Sequence, residues 1–477
     1  MKFTMKKILY TFLFIQLLGC SKPLDEEVFS SFGPNNFFQK ADDAEALLNS
    51  AYSVEQRRGF RNYLLMAEVN TDLVIDREGG LRSLAQPLED FTWPATHEFF
   101  ETAWTLHYRT IYRTNLVLDQ VPSISMADAR KTQILAEARF LRASAYQTLY
   151  DLFGPVPLII SSNSSSDDRP SRPTQAEFIS FVESEFKAVA DILPTVAPQY
   201  GRATKGAALS LLTRFYLNSK KWSETAETAK KVMDLGVYQL FNGTNRTDLF
   251  DVANEKNSEF IYIRPSLPQP GLSDNYLPHA APPNYKFKVA PKTNYATQLK
   301  TLSGFYNTFD PADQRRQAII TEYEDVNGKI IKLGTDDVRS FKFREDLSAT
   351  AENMGNDFPV YRYADILLSR AEALNELNGP TQEAIGLINL VRAKAAVTLL
   401  KLSDFTSKDA LRAHLLKERS WEFFSEELRR QDLIRHGKFI EYAKARGKVA
   451  FDYQVLFPLP QSEIDRNPNL KQNEGYK

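Results

Sequence analysis

Between Ile134 and Ile159 the chain reads ILAEARFLRASAYQTLYDLFGPVPLI, the stretch that most limits what it can fold into. Ile134, Ala138, Leu141, Ala145, Leu149 and Leu152 recur every three or four residues, which lays one apolar stripe along a helix of about five turns. Gly154 supplies a residue that can close the helix in the left-handed region, and Pro155 and Pro157 lack the donors needed to continue it. Glu137, Arg139 and Arg142 border the stripe, and Tyr146 and Tyr150 share a face. That composition suits a core helix, with ligand contact by the tyrosines as the alternative.

Further stripes surround this one. Ala44, Leu47, Leu48, Ala51 and Tyr52 form one, and Trp104, Tyr108, Ile111, Asn115 and Leu118 another, ended by Pro122. Thr174 with Glu177 three positions on is a capping box that leads into Phe178, Phe181, Val182, Phe186, Val189 and Leu193. Ala207, Leu211, Arg214 and Phe215 precede a turn at Ser219, Lys220 and Lys221, and Trp222, Ala226, Ala229 and Val232 follow it. A helix, tight turn and helix in about 34 residues, with alanines at the close approaches, is the tetratricopeptide arrangement. Residues 359–396 repeat it, the 134–153 stripe pairs with 175–193, and the two N-terminal stripes pair with each other. A last helix is expected from about Lys408 to Gly437. The expected fold is mainly α, with tetratricopeptide-like helix pairs forming a scaffold and a loop-rich insertion containing short β-strands.

Two regions lack this period. Residues 69–100 gather Gly, Pro, Asp and aromatic residues and read as a structured loop. Residues 237–358 hold seven prolines between Pro265 and Pro291, which forbids a helix there and most of a sheet. Phe260 to Ile263 reads as a strand, and Asn327-Gly328 as a hairpin turn between 323–326 and 329–331. In the closing segment Phe457, Leu459, Ile464 and Leu470 are suited to packing.

The chain starts with MKFTMKK and the apolar run ILYTFLFIQLL, an export signal over residues 1–19 that is too short for an ordinary membrane span. Leu17-Leu18-Gly19-Cys20 resembles a lipobox, so Cys20, the only cysteine, is the expected lipidation site, and no disulfide can form within the chain. Residues 20–40 then form a tether, in which Asp25, Glu26 and Glu27 resemble a surface-export signal or serve as a solvated linker. Residues 41–477 make one domain, with helical scaffold at 41–236 and 359–477 and the insertion at 237–358. A formal charge of −1 gives no basic surface for nucleic acid.

The five histidines lack metal-ligand spacing, so no metal and no cofactor is expected, and no phosphate-binding glycine loop or nucleophile elbow is present. Glycosidase chemistry needs only two carboxylates, a pattern that sixty acidic residues leave open, but the expectation is a protein without catalysis. Glu137, Glu372, Glu418 and Glu422, with Arg139, Arg370 and Arg419 near in sequence, read as structural ion pairs. Binding is better supported. Sugars present apolar C–H faces ringed by hydroxyls, met by flat aromatic rings bordered by polar groups. The irregular regions hold such residues: Asp76, Arg77, Trp93 and His97 in the first, and Asn275, Tyr276, Asn284 and Tyr285 in the second. For each of them, folding back as a cover on the scaffold is the alternative.

With AEARFLRASAYQTLYDLFGPVPLI, GRATKGAALSLLTRFYL before Trp222, PVYRYADILLSRAEALNEL with INLVRAKA, KERSWEFFSEELRRQDLIRHGKF and PLPQSEIDRNPNLKQNEGY in this order, the chain resembles the SusD/RagB family of outer-membrane nutrient-binding lipoproteins. The resemblance covers nearly all of the mature chain. It implies a lipid-anchored protein at the cell surface that captures an oligosaccharide and delivers it to a SusC-like TonB-dependent transporter. A peptide-binding receptor of the same class and a tetratricopeptide adaptor are the alternatives. The resemblance carries no particular binding residue onto this chain.

Overall fold

In the computed structural model, which describes residues 38–56, 60–76, 79–165, 168–289, 292–295 and 299–476, the periodic stretches are helices. The export signal, Cys20, most of the tether and Arg77 lie outside the described residues. The main helices are α1 (Ala41–Gln56), α2 (Arg82–Asp90), α3 (Glu98–Gln120), α4 (Asp128–Phe153), α5 (Gln175–Ala190), α6 (Lys205–Asn218), α7 (Trp222–Asp234), α8 (Tyr363–Asn378), α9 (Gln382–Lys394), α10 (Lys408–Phe423) and α11 (Arg429–Arg435). Thr174, Thr204, Thr381 and Ser407 start four of them, each accepting the backbone N–H three residues on, and Glu177 completes the expected capping box at Thr174. Gly154 closes α4 at φ +74°.

Packing follows the stripes. Leu141, Ala145 and Leu149 of α4 are fully buried, and each such leucine contributes about 1.5–3 kcal/mol relative to an exposed one. α1 packs on α3 and α4, and the contacts then run in series from α3 to α4, α5, α6, α7, α8 and α9, with α10 against α8. This is the tetratricopeptide-like scaffold, including the α6–α7 and α8–α9 pairs read from the sequence.

Three expectations are corrected: a short helix, Tyr276–Ala280, forms around Pro278 where the prolines are expected to forbid one. Residues 69–100 are not all loop, because Ala85 and Leu88 are buried and anchor α2 despite Pro87 within it. The helix expected from Lys408 to Gly437 breaks after Phe423: Ser425 and Glu427 take φ of +61° and +62°, and their N–H groups donate to the buried Glu68 carboxylate at 3.1 and 3.2 Å.

In the insertion, β2 (Phe260–Arg264) pairs antiparallel with β8 (Phe358–Arg362), joining its two ends. β5 (Glu322–Glu324) and β6 (Ile330–Lys332) form the expected hairpin, with Gly328 at φ +80°. The insertion meets the scaffold through a seam of buried charge. Glu418 and Glu422 of α10, and Glu426 four residues further on, face Arg246, Arg315 and Lys342 of the insertion and Arg362 at the end of β8. Glu422 accepts from Arg362 at 2.6 Å and Arg315 at 3.0 Å, Glu418 from Arg315 at 2.8 Å, and Glu426 from Arg362 at 2.7 Å. Burial pushes the Glu418 carboxyl up, but Arg315, His414 and Arg392 outweigh it and hold it at about 2.

The four glutamates read as ion-paired are so, but with partners other than the arginines beside them in sequence. Glu137 meets Arg130 and Arg202, and Glu372 meets Arg435, while Arg139 pairs with Glu185 and Arg370 with Glu383. Residues one or two apart on a helix do not face each other.

Candidate functional site

β1 (Val74–Ile75) and β3 (Lys300–Thr301) pair antiparallel, Val74 opposite Thr301 and Ile75 opposite Lys300, and this short ladder joins the two irregular regions. The Leu302 N–H donates to the Leu73 carbonyl at 2.9 Å, and the Leu299 N–H to the His279 carbonyl at 3.0 Å. By this register, the turn after β1 and the chain entering β3 leave the ladder at the same end.

Tyr295 lies on the chain leading into that end. Its ring centroid is 4.6 Å from that of His279, with only 18° between the planes, while 38% of the residue stays exposed. His279 beneath it is buried on the helical turn Tyr276–Ala280. The Tyr295 N–H donates to the Pro278 carbonyl at 2.8 Å, its hydroxyl donates to Glu352, and the Thr293 N–H donates to the Ala351 carbonyl at 3.1 Å. Asn294 Nδ2 donates to the Pro282 carbonyl at 2.7 Å and Lys292 Nζ to the Asp346 carbonyl at 2.8 Å. Burial pulls the Lys292 ammonium below its usual range. An aromatic ring backed on one face and tied at backbone and hydroxyl is pre-oriented, so a ligand that stacks on it orders little. The Glu352 carboxylate at its hydroxyl end suits a ligand bearing hydroxyls.

The predicted residues fall into two groups. Trp93 is 4% exposed: Nε1 donates to the Tyr476 hydroxyl at 2.9 Å, and the ring packs on Phe91 and Phe457 at 5.0 and 5.2 Å. His97 is buried as the cap of α3. Its Nδ1 accepts from the Phe99 N–H at 3.2 Å, so Nε2 carries the proton and donates to the Leu84 carbonyl at 2.9 Å. Burial lowers its pKa. Asp76 is buried, with its carbonyl accepting from Arg82. Tyr276 is 2% exposed, and its hydroxyl bonds Ser425 Oγ at 3.1 Å. Contrary to the expectation of a ligand-facing role, these four are buried: the rings gain more by filling the core than by lying on a loop, and Asp76 is held at its backbone carbonyl by Arg82.

Asn275, Asn284 and Tyr285 retain contact with solvent. Asn284 is exposed at φ +58°, a conformation asparagine tolerates, and its carbonyl accepts from the Val326 N–H at 2.9 Å. Tyr285 is half-buried among Phe287, Tyr323 and Phe341 beside the hairpin, with its phenol pKa raised by burial. In the sequence, Tyr295 is one insertion aromatic among several; only its tertiary pairing with His279 sets it apart.

A separate cavity of about 100 Å³ lies between α4, α6, β8 and the start of α11, lined by Gln147, Arg214, Arg264, Arg419, Arg430 and Asp432 among others. It has room for a few waters, well below the roughly 300–1,000 Å³ of ordinary ligand pockets. Among the described residues, no group of three or more potential ligands is arranged to hold a metal ion.

A family model described as the SusD family matches residues 238–476, and a second, described as starch-binding associating with outer membrane, matches residues 24–217. A SusD-like protein of Formosa agariphila is 28% identical over 518 residues, spanning 99% of this chain and 99% of its own. The starch-binding protein SusD of Bacteroides thetaiotaomicron is 27% identical over 462 residues, spanning 82% and 81%. The solved structure of a laminarin-binding SusD-like protein superposes with a TM-score of 0.79 at 24% identity, over 92% of this chain and 100% of that one.

Proposed function

The chain belongs to the SusD family, and on that premise we propose that it captures oligosaccharides at the cell surface and passes them to a SusC-like TonB-dependent transporter. It is a binding protein, and no bond in its ligand is made or broken. Export and lipidation at Cys20 tether it to the outer membrane, where more than one acyl chain is needed for a stable hold. The mature chain acts as one domain, residues 41–477, with the helical scaffold carrying the insertion.

The observation that carries this reading is the Tyr295 ring, supported by His279 and part-exposed beside the junction of the two irregular regions. A sugar ring lays its C–H face on such a surface, while its hydroxyls meet polar groups such as Glu352. Asn284 and Tyr285 on the hairpin side are further contact candidates, as is Arg77, two positions past Ile75 in the chain.

Titration calorimetry against starch-type, laminarin-type and other glycans is expected to give binding that weakens in Tyr295→Ala. Binding to peptide pools and to no glycan would replace the sugar reading with the peptide-receptor one. Pull-down of the lipidated protein from its native membrane is expected to bring a TonB-dependent barrel with it, and its repeated absence would remove the delivery step.

A further inference from the structure

The C-terminal segment carries a second aromatic surface, far from Tyr295 in sequence. Phe451 is 51% exposed, and its ring lies over that of Tyr453 at 5.7 Å with 8° between the planes. Tyr453 is itself fixed. The edge of Tyr476 meets it at 4.9 Å, and Gly475 sits so close that a Cβ there would fall 2.3 Å from Tyr453 Cγ. Tyr476 accepts from Trp93 Nε1 at 2.9 Å and donates to the Leu456 carbonyl at 2.7 Å. The Phe451 N–H donates to Gln454 Oε1 at 2.9 Å, and Gln454 Nε2 donates to the Phe91 carbonyl at 2.7 Å. A rigid column of rings therefore runs from the buried Trp93 outward and ends at a half-exposed Phe451.

Scaffold packing accounts for Trp93, Tyr476 and Tyr453, but not for an exposed ring at the end of the column. The neighbouring exposed apolar side chain is Val449, and exposed Asp452 and half-buried Lys448 flank the pair. Two apolar side chains are far too small for a protein interface, which takes about 800 Å² from each partner. One flat exposed ring, with the exposed Asp452 next to it in the chain, matches a single sugar ring.

The segment is also tied to the first site. Lys448 Nζ is bound to Glu89 and Asp90 at the C-terminal end of α2. At the other end of the same helix, Arg82 donates to the Asp76 carbonyl, on the turn that leaves the β1–β3 ladder beside the chain carrying Tyr295. α2 has nine residues, a span of about 13 Å at helical rise.

We propose that Phe451, stacked on Tyr453, is an outlying subsite that holds a distal residue of a glycan chain whose first contact is at Tyr295. This rests on the carbohydrate-binding reading above. A chain long enough to reach both surfaces gains from the second contact because that contact is intramolecular, and a short chain does not.

The test compares short and long oligosaccharides of the starch and laminarin series, by calorimetry on the wild-type protein, Phe451→Ala and Phe451→Trp, with thermal denaturation as the folding control. In Phe451→Ala, affinity for long chains is expected to fall about three- to tenfold, the range of one aromatic contact, with short-chain affinity and melting temperature unchanged. Phe451→Trp is expected to retain long-chain affinity. Equal affinities of wild type and Phe451→Ala for long chains, or equal losses for short and long ones, would overturn the subsite while leaving the Tyr295 site standing. Failure of the wild type to bind any glycan would overturn the carbohydrate reading, and the subsite with it.

Discussion

Leu141, Leu149 and Leu211 hold the helical stack together by meeting apolar neighbours, whereas the insertion is seated on that stack through Arg246, Arg315, Lys342 and Arg362 against Glu418, Glu422 and Glu426. Apolar contact is non-directional and tolerates small shifts, so a stripe specifies that helices pack but only loosely how. A buried ion pair is satisfied in one geometry and is expensive in any other. An irregular segment with seven prolines has no period of its own to set its register. The paired charges do that for it, and in doing so they hold His279 and Tyr295 in place beside the N-terminal turn.

The sharpest way to break this contrast is Glu422→Ala, which leaves Arg246, Arg315 and Arg362 short of one shared partner. A loss of about 3 to 5 kcal/mol is expected in chemical denaturation, with protease cutting in the insertion before the helices. Simultaneous loss of both would mean that the seam stabilises the whole domain rather than seating the insertion. Leu141→Ala in α4 is expected to cost about 3 kcal/mol and to leave affinity per folded molecule unchanged, since Leu141 is fully buried in the helical stack.

Acid loads the seam without mutation, together with the buried scaffold pairs of Asp365 and Glu372, whose carboxyls burial pushes up but arginines also hold low. The folded Glu418 carboxyl, at about 2, lies below its ordinary 4.5, so its contribution is complete above about pH 4.5 and is lost as pH falls toward 2. Glu422 and Glu259 are shifted in the same direction. Stability measured down this range should drop steeply in the wild type and less so in a variant already lacking Glu422. The smallest expected effect is that of Tyr295→Ala: about a three- to tenfold loss of glycan affinity with an unchanged melting temperature, because the ring is part-exposed. A large drop in melting temperature would reassign Tyr295 to the core.

These differences follow what a sequence can express. The Ile134 to Leu152 stripe, the Thr174 cap and the Gly154 stop are local, and each appears in the structure where its residues lie. The partners of Glu372, Glu418 and Glu422 include arginines far away in the chain, and Glu137 takes Arg130, two turns back, and Arg202 rather than Arg139, so nearness in sequence pointed to the wrong arginines. Trp93, His97 and Tyr276 have the side chains a sugar site needs, but whether a loop ring faces solvent or Phe457 is decided by tertiary packing. The Tyr295–His279 stack spans sixteen positions within a proline-rich segment, where no periodic signal could mark it. Only the neighbourhood was legible: two irregular regions rich in such residues, which the β1–β3 ladder does join.

The order in which the seam is made has its own consequence. Arg315 meets Glu418 and Glu422 across 103 and 107 positions, and Arg246 meets Glu422 across 176. Synthesis and export deliver the cations, with Glu259 and Asp313, before Glu418, Glu422 and Glu426, and the early helices, whose neighbours are close in sequence, can assemble in the meantime. The insertion is therefore the last part to mature. A chain ending before α10 keeps Glu259 for Arg246 and Arg362 and Asp313 for Arg315 but lacks Glu418, Glu422 and Glu426, so the C-terminal helices act as a proof of completion, and an incomplete copy cannot finish the seam.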